Sequence, residues 1–125
     1  MARILVIEDE APTRANLLRF VRLEGHEGIE AADGQIGLQA AKTQPPDLIF
    51  CDVMMPQMNG MEVLAAIRLD TELAWVPLIF LSASAKSERL EEALRLGASG
   101  YVTKPFNFAQ LQAVLQQVLP GDLAS

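Results

Sequence analysis

Five side chains that could take part in chemistry follow short apolar runs of this 125-residue sequence: Glu8, Asp9, Asp52, Ser82 and Lys104. The three carboxylates would repel one another if the fold held them close, because neighbouring carboxylates are costly to keep ionised. A hard divalent cation relieves this repulsion, and Mg²⁺ binds a few carboxylate or carbonyl oxygens while keeping positions for water and a phosphoryl oxygen. Ser82 adds a hydroxyl donor and Lys104 a positive charge, which suit the transfer of a phosphoryl group. One carboxylate then serves as the nucleophile and forms an acyl phosphate.

The segments that carry these side chains alternate between apolar runs and helical spacing. Ile4–Ile7, Leu48–Cys51 and Leu78–Leu81 contain no charged residue, which is typical of parallel strands covered on both faces. Weaker runs at Glu27–Ala32 and Tyr101–Val102 predict two further strands. Five such units predict an α/β fold with a doubly wound, five-stranded parallel sheet in a three-layer sandwich. Because the carboxyl ends of parallel strands share one edge, the five side chains are expected to meet there.

Apolar residues at helical spacing predict the inward faces of five helices. These faces are Leu17, Leu18, Val21 and Leu23; Ile36, Ala40 and Ala41; Val63, Leu64 and Ile67; Leu90, Leu94 and Leu96; and Leu111, Val114, Leu115 and Val118. Pro12 suits the first turn of a helix, and Gly25, Gly97 and Gly121 are expected just beyond helix ends. Glu10 is interpreted as a residue of a helix N-terminus, where the helix dipole favours an acid.

Composition excludes several classes of protein. The chain has 10 basic and 16 acidic side chains, a net charge of −6, which disfavours non-specific binding to nucleic acid or to an anionic membrane surface. The single cysteine, Cys51, excludes a disulfide framework. No apolar run approaches the roughly 20 residues of a membrane span, and the N-terminal run is too short for the core of a signal peptide. A cytoplasmic domain without direct nucleic-acid or membrane contacts is therefore expected.

The motifs around the candidate residues resemble the receiver domain of two-component response regulators, in order and over essentially the whole chain. They are Val6-Ile7-Glu8-Asp9-Glu10, Cys51-Asp52-Val53-Met54-Met55-Pro56, Asn59-Gly60, Leu81-Ser82-Ala83 and Tyr101-Val102-Thr103-Lys104-Pro105-Phe106. The chain is similar to the single-domain, chemotaxis-type members. The resemblance implies a flavodoxin-like fold with strand order 2-1-3-4-5, a receiver domain over residues 1–119, and a tail or the start of a linker over residues 120–125.

The resemblance also implies a role for each residue. Asp52 is expected to accept the phosphoryl group, with Ser82 and Lys104 contacting it. Glu8, Asp9, Asp52 and the backbone carbonyl of Met54 are expected to hold Mg²⁺, with Mn²⁺ as a substitute. Ser82 and Tyr101 are expected to form the switch, and the Lys104–Pro105 bond to be cis. Such a domain assists its own phosphorylation and dephosphorylation and is not classed as an enzyme.

Alternative functions remain to be weighed. A phosphatase of the haloacid dehalogenase type needs a second aspartate two residues after its nucleophile, where this chain has Met54. A flavin-binding phosphate loop would be repelled by the acids after the first strand, and the Gly-Lys-Ser/Thr of a P-loop is missing there. The remaining alternative is a receiver-like interaction module that works without phosphorylation.

The partners expected from the resemblance are a histidine kinase or a histidine phosphotransfer protein, and a downstream effector protein or an effector domain outside this chain. Residues 105–121 contain no charged side chain. Because a solvent-facing helix usually carries charges, we interpret the fifth helix as a docking surface or a homodimer interface.

Overall fold

The computed structural model describes residues 1–83 and 88–119, and the predicted helix end at Gly121 and the predicted tail lie outside that part of the chain. Five strands alternate with five helices, as the sequence predicts. The strands are β1 (Arg3–Ile7), β2 (Glu27–Ala31), β3 (Leu48–Asp52), β4 (Leu78–Ser82) and β5 (Gly100–Thr103). The helices are α1 (Ala11–Leu23), α2 (Gly34–Thr43), α3 (Gly60–Leu69), α4 (Glu88–Arg95) and α5 (Phe108–Val118).

The strands form one parallel sheet in the order β2-β1-β3-β4-β5, which confirms the predicted topology. Chain order reverses between β1 and β3, where Ile7 pairs with Cys51. The residues that follow this pair, Glu8 and Asp52, therefore leave the sheet side by side. At the other edge of the crevice Ser82 pairs with Thr103, so Lys104 emerges beside Ser82.

Both faces of the sheet are covered, as the apolar runs of the central strands require. One core cluster packs β-strand side chains such as Ile49 and Phe80 against α2, α3 and α4. The second packs Phe50 and Ile79 against α1 and α5. Phe20 of α1 meets Phe108 of α5 edge to face, with ring centroids 5.1 Å apart, and this contact joins the two helices of that layer.

Four of the residues predicted to face the core are instead exposed: Leu23, Ile36, Leu94 and Leu96. In α1 the buried stripe runs through Phe20, about 60° from the direction of Leu23 on the helix. In α2 the sheet is approached by Gly37, where an added Cβ would lie 2.4 Å from Ile7 Cδ1. In α4 it is Ala93 that is buried. The rotation of these helices about their axes is thus set by small and aromatic residues. The positions of the large aliphatic side chains alone do not predict it. The side chain of Leu90 lies outside the described part.

Candidate functional site

The end of β1 places a carboxyl group in the interior. Glu8 is fully buried; its Oε2 accepts a hydrogen bond from the Glu10 amide at 3.3 Å. Its main-chain carbonyl accepts one from Arg14 Nη1 at 2.8 Å, and Arg14 also pairs with Glu30 at 3.6 Å. The turn between β1 and α1 is therefore fixed from the helix side. Asp9, the next residue, is exposed and faces the opening.

The end of β3 places Asp52 in the same crevice, only 6 % exposed. Its Oδ1 accepts the Met54 amide at 3.2 Å, and its Oδ2 lies 3.2 Å from Lys104 Nζ. Behind it, α3 begins at a capping box in which Asn59 and Glu62 exchange hydrogen bonds. Gly60, the first residue of that helix, packs so closely that a Cβ would lie 2.4 Å from the Asp52 carbonyl oxygen. A side chain at position 60 would displace the strand end that carries Asp52.

Carboxylate oxygens of Glu8, Asp9 and Asp52 all lie within 4.8 Å of one another. Burial, reinforced by the neighbouring Asp52 carboxylate, raises the pKa of Glu8 to about 7. No hydrogen bond from the described residues reaches Glu8 Oε1, although Lys104 Nζ forms an ion pair with it at 2.9 Å. A cluster of hard oxygen donors with one buried oxygen lacking a hydrogen bond fits a divalent cation such as Mg²⁺.

Lys104 brings a positive charge to these acids from the end of β5. Its Nζ lies 2.9 Å from Glu8 Oε1, 3.2 Å from Asp52 Oδ2 and 3.8 Å from Glu10 Oε1. Burial opposes the charged form, but the carboxylates of Glu8 and Asp52 outweigh it and raise the pKa of Lys104. The Lys104–Pro105 bond is cis, as predicted, and the Lys104 amide donates to the Ser82 carbonyl at 2.7 Å.

A cavity of about 310 Å³ opens onto this group. Its lining residues are Asp9, Glu10, Asp52, Val53, Met54, Ser82, Ala83 and Lys104. Ser82 is 6 % exposed and stands at the end of β4, beside Lys104. The structure thus brings together all five side chains that the sequence singled out. The Met54 carbonyl as a metal ligand stays a prediction, since the contact given above is the hydrogen bond that the Met54 amide donates to Asp52 Oδ1.

Tyr101 lies outside the lining of this cavity. Tyr101 lies on β5, where it pairs with Phe80 of β4, and it is 38 % exposed. Side chains alternate along a strand, so it lies on the face opposite to the buried Val102, which belongs to the cluster beneath α1 and α5. Its role as a switch residue stays a prediction.

Sequence reasoning missed three contributors to the site. Glu10 is the N-cap of α1, as interpreted, but its carboxylate also lines the cavity and lies near Lys104. Arg14 holds the Glu8 carbonyl, and no local pattern marks that contact. Gly60 enters the sequence analysis only within the Asn59-Gly60 motif, yet the Asn59-x-x-Glu62 spacing is a signal for a capped helix that begins at this point.

Two further residues with titratable side chains, Cys51 and His26, are buried and lie outside the lining of the cavity. Cys51 is fully buried, and burial raises the pKa of its thiol. His26 is buried at the far end of the sheet, where its Nδ1 accepts the Ala2 amide at 2.9 Å.

The sequence of residues 4–116 matches the family model of the response regulator receiver domain. The chain belongs to this family. The receiver domain is 34 % identical over 123 residues to the phosphate regulon transcriptional regulatory protein PhoB of Pseudomonas aeruginosa, covering 95 % of this chain and 54 % of that protein. It is 37 % identical to the response regulator ArlR of Staphylococcus epidermidis, covering 95 % of this chain and 53 % of that protein. The receiver domain thus spans about half the length of the curated relatives it matches.

Solved structures show the same fold. The Vibrio cholerae chemotaxis protein CheY4 is 34 % identical to this receiver domain, with a TM-score of 0.90 over 95 % of this chain and 99 % of that one. The receiver domain of the sensor histidine kinase PA1611 from Pseudomonas aeruginosa is 31 % identical, with a TM-score of 0.86 over 94 % of this chain and 96 % of that one. That structure has a magnesium ion coordinated in its active site cleft. In the described part of this receiver domain, no helix is long and apolar enough to cross a membrane.

Proposed function

We propose that this receiver domain is a signalling switch that accepts a phosphoryl group on Asp52 from a histidine kinase or a histidine phosphotransfer protein. The observation that carries the proposal is the placement of Asp52 Oδ2, 3.2 Å from Lys104 Nζ, in an open cavity that Ser82 also lines. A phosphoryl acceptor needs access to the donor and a positive charge where phosphoryl oxygens will lie. The site offers both.

Glu8, Asp9 and Asp52 would hold Mg²⁺ or Mn²⁺ in this proposal, with the Met54 carbonyl as a further ligand. The carboxylate cluster supports this assignment, because Mg²⁺ prefers such hard oxygen ligands. When bound, the ion would supply positive charge that neutralises phosphoryl oxygens during transfer. Glu8 and Asp9 would serve to hold it, and Asp52 would also present a carboxylate oxygen to the donor.

The step itself is a substitution at phosphorus. A carboxylate oxygen of Asp52 attacks the phosphorus of a phosphohistidine, an oxygen–phosphorus bond forms, and the nitrogen–phosphorus bond breaks with its electron pair passing to the imidazole, which takes up a proton. Lys104 and the Ser82 hydroxyl would contact the transferred oxygens. The domain would assist this reaction and the later hydrolysis of its own acyl phosphate. It would therefore act on itself and not as an enzyme on a separate substrate.

The output proposed is a change of the surface formed by α4, β5 and α5. Ser82 ends β4 and pairs with Thr103, two residues from Tyr101, so a shift of the Ser82 hydroxyl toward the phosphoryl group would reach β5 directly. The exposed face of α5 carries glutamines and no charged residue, and we propose it as the docking face for an effector or for a second copy. A cytoplasmic location, where ATP-derived phosphodonors are made, completes the proposal.

Incubation with Mg²⁺ and a small phosphodonor such as acetyl phosphate, followed by intact-mass measurement, tests the phosphoacceptor. A gain of one phosphoryl group is expected in the native chain and not in Asp52→Asn, which keeps the size of the side chain. The rival function is a phosphorylation-independent interaction module. It would be favoured if the native chain gained no mass under conditions in which a known receiver domain did.

A further inference from the structure

A second concave surface lies between α3 and α4, on the opposite side of the sheet from α1 and α5. The groove holds about 310 Å³ and is lined by Asn59, Met61, Glu62, Ala65, Glu92 and Leu96. Its α4 wall, which carries Glu92, borders the output surface proposed above, but its other wall is α3, and no described residue of β5 or α5 lines it. We call it the α3–α4 groove.

Exposed apolar side chains also occur at and just beyond the carboxyl ends of both helices, and one of them, Leu96, lines the groove. Leu96 is 56 % exposed, Leu69 84 % and Trp75 61 %. Arg68 forms hydrogen bonds to the backbone next to two of these side chains. Its Nη1 donates to the carbonyls of Ala74 and Val76, at 3.3 and 2.6 Å, on either side of Trp75. Nε and Nη2 donate to the carbonyl of Gly97, which follows Leu96, at 3.1 and 2.8 Å. Large apolar side chains that remain exposed to solvent are typical of an interaction surface.

The described charges along the α3–α4 groove have one sign. Glu62 stands on the α3 wall and Glu92 on the α4 wall, and among the side chains that the structure describes, those of residues 1–83 and 91–119, none that is basic lines the groove. Arg68 is committed to the backbone carbonyls and does not pair with either acid. Asp70 and Glu72 extend the negative charge past Leu69 toward Trp75. A ligand of the groove must therefore present an apolar surface to Met61, Ala65 and Leu96 and positive charges to Glu62 and Glu92.

We propose that the α3–α4 groove binds an amphipathic helical segment of a partner protein, with an apolar stripe flanked by lysine or arginine. The α3 wall is ten residues long, about 15 Å, which accommodates about ten residues of such a helix. The apolar stripe lies over Met61, Ala65 and Leu96, and the basic side chains reach Glu62 and Glu92.

Fluorescence anisotropy with a labelled leucine/lysine peptide of helical periodicity tests the proposal on the full chain. Three variants read out the site. Glu92→Lys reverses a rim charge, Leu96→Ser removes apolar floor, and Glu91→Lys makes the same charge change on the same helix at an exposed position outside the lining. We expect Glu92→Lys and Leu96→Ser to weaken binding about fivefold, and Glu91→Lys to change it less than about twofold.

A peptide with the same composition in scrambled order, and one with glutamate in place of lysine, are the matched probes. The proposal is overturned if the scrambled peptide binds equally well, if the acidic peptide binds instead, or if Glu91→Lys weakens binding as much as Glu92→Lys. It is also overturned if the native chain binds no peptide, or if sedimentation shows self-association that Leu96→Ser abolishes, because the occupant would then be a second copy. Retained thermal unfolding midpoints show that the variants fold.

Discussion

Lys104 Nζ lies 2.9 Å from Glu8 Oε1, so the residue after the last strand pairs with the residue after the first. This ion pair partly neutralises a fully buried carboxylate whose pKa is raised to about 7. Lys104 thus pairs with two of the carboxylates, those of Glu8 and Asp52, that would also hold a divalent cation.

Replacing Lys104 with methionine should lower the free energy of unfolding without Mg²⁺ by about 1–3 kcal/mol, since buried carboxylates lose a charged partner. The same variant should gain more stability from Mg²⁺ than the native chain does, because the ion then faces carboxylates that no lysine neutralises. Chemical unfolding with and without Mg²⁺ measures both effects. Lys42→Met, the same change on the exposed side of α2, is the control. Equal Mg²⁺ effects in all three chains would contradict this account of the site.

Ser82→Ala should still accept a phosphoryl group on Asp52, but about tenfold more slowly, because one hydroxyl donor to the transferred oxygens is lost. The rate is measured by stopping the reaction with a small phosphodonor at successive times and recording the intact mass of the protein. Ser82→Thr keeps the hydroxyl at this nearly buried position and should react within a few-fold of the native chain. Identical rates for the alanine and threonine variants would remove Ser82 from the proposed chemistry.

Gly60→Ala should destabilise the fold by about 1–3 kcal/mol through overpacking. The added Cβ would lie 2.4 Å from the Asp52 carbonyl oxygen and 2.9 Å from Val53 Cα, both backbone atoms of the segment that positions Asp52. Urea unfolding measures the loss. Gly100→Ala is the matched control, since its Cβ would meet only Ile79 Cδ1, at 3.4 Å. If the loss of unfolding free energy at position 60 were no larger than at position 100, the end of β3 would be shown to move at little cost.

His26 should make stability fall as the pH decreases from about 7 to 5. Burial, followed by the nearby N-terminal amine, lowers the pKa of His26 below its ordinary value of 6.5, although Glu24 and Asp47 act in the other direction. The unfolded chain therefore binds more protons in this range, and protonation favours unfolding. His26→Asn offers an oxygen to the Ala2 amide in place of Nδ1 and does not titrate.

The measurement is the difference in unfolding free energy between the native chain and His26→Asn as the pH is lowered. The native chain should lose stability relative to the variant, and contributions from Glu8, common to both chains, cancel. Parallel pH profiles would show that His26 titrates alike in the folded and unfolded states.

The sequence by itself determined the order and type of the ten elements, because unbroken apolar runs, prolines and glycines act locally. It also determined which side chains meet, since parallel strands deliver the residues after them to one edge, as Asp9, Asp52 and Lys104 show. Ile36 and Leu96 were wrongly predicted to face the core, because a helix's rotation against the sheet depends on how closely small residues such as Gly37 and Ala93 let it approach.

Only the tertiary structure decided the partners within the site. That Lys104 reaches Glu8 as well as Asp52, that Arg14 holds the Glu8 carbonyl, and that Gly60 lies against the Asp52 carbonyl all depend on strand register and helix position. Such contacts join residues far apart in the chain, and their distances follow from the packing of both faces of the sheet at once. Residue types and spacing do not contain that information.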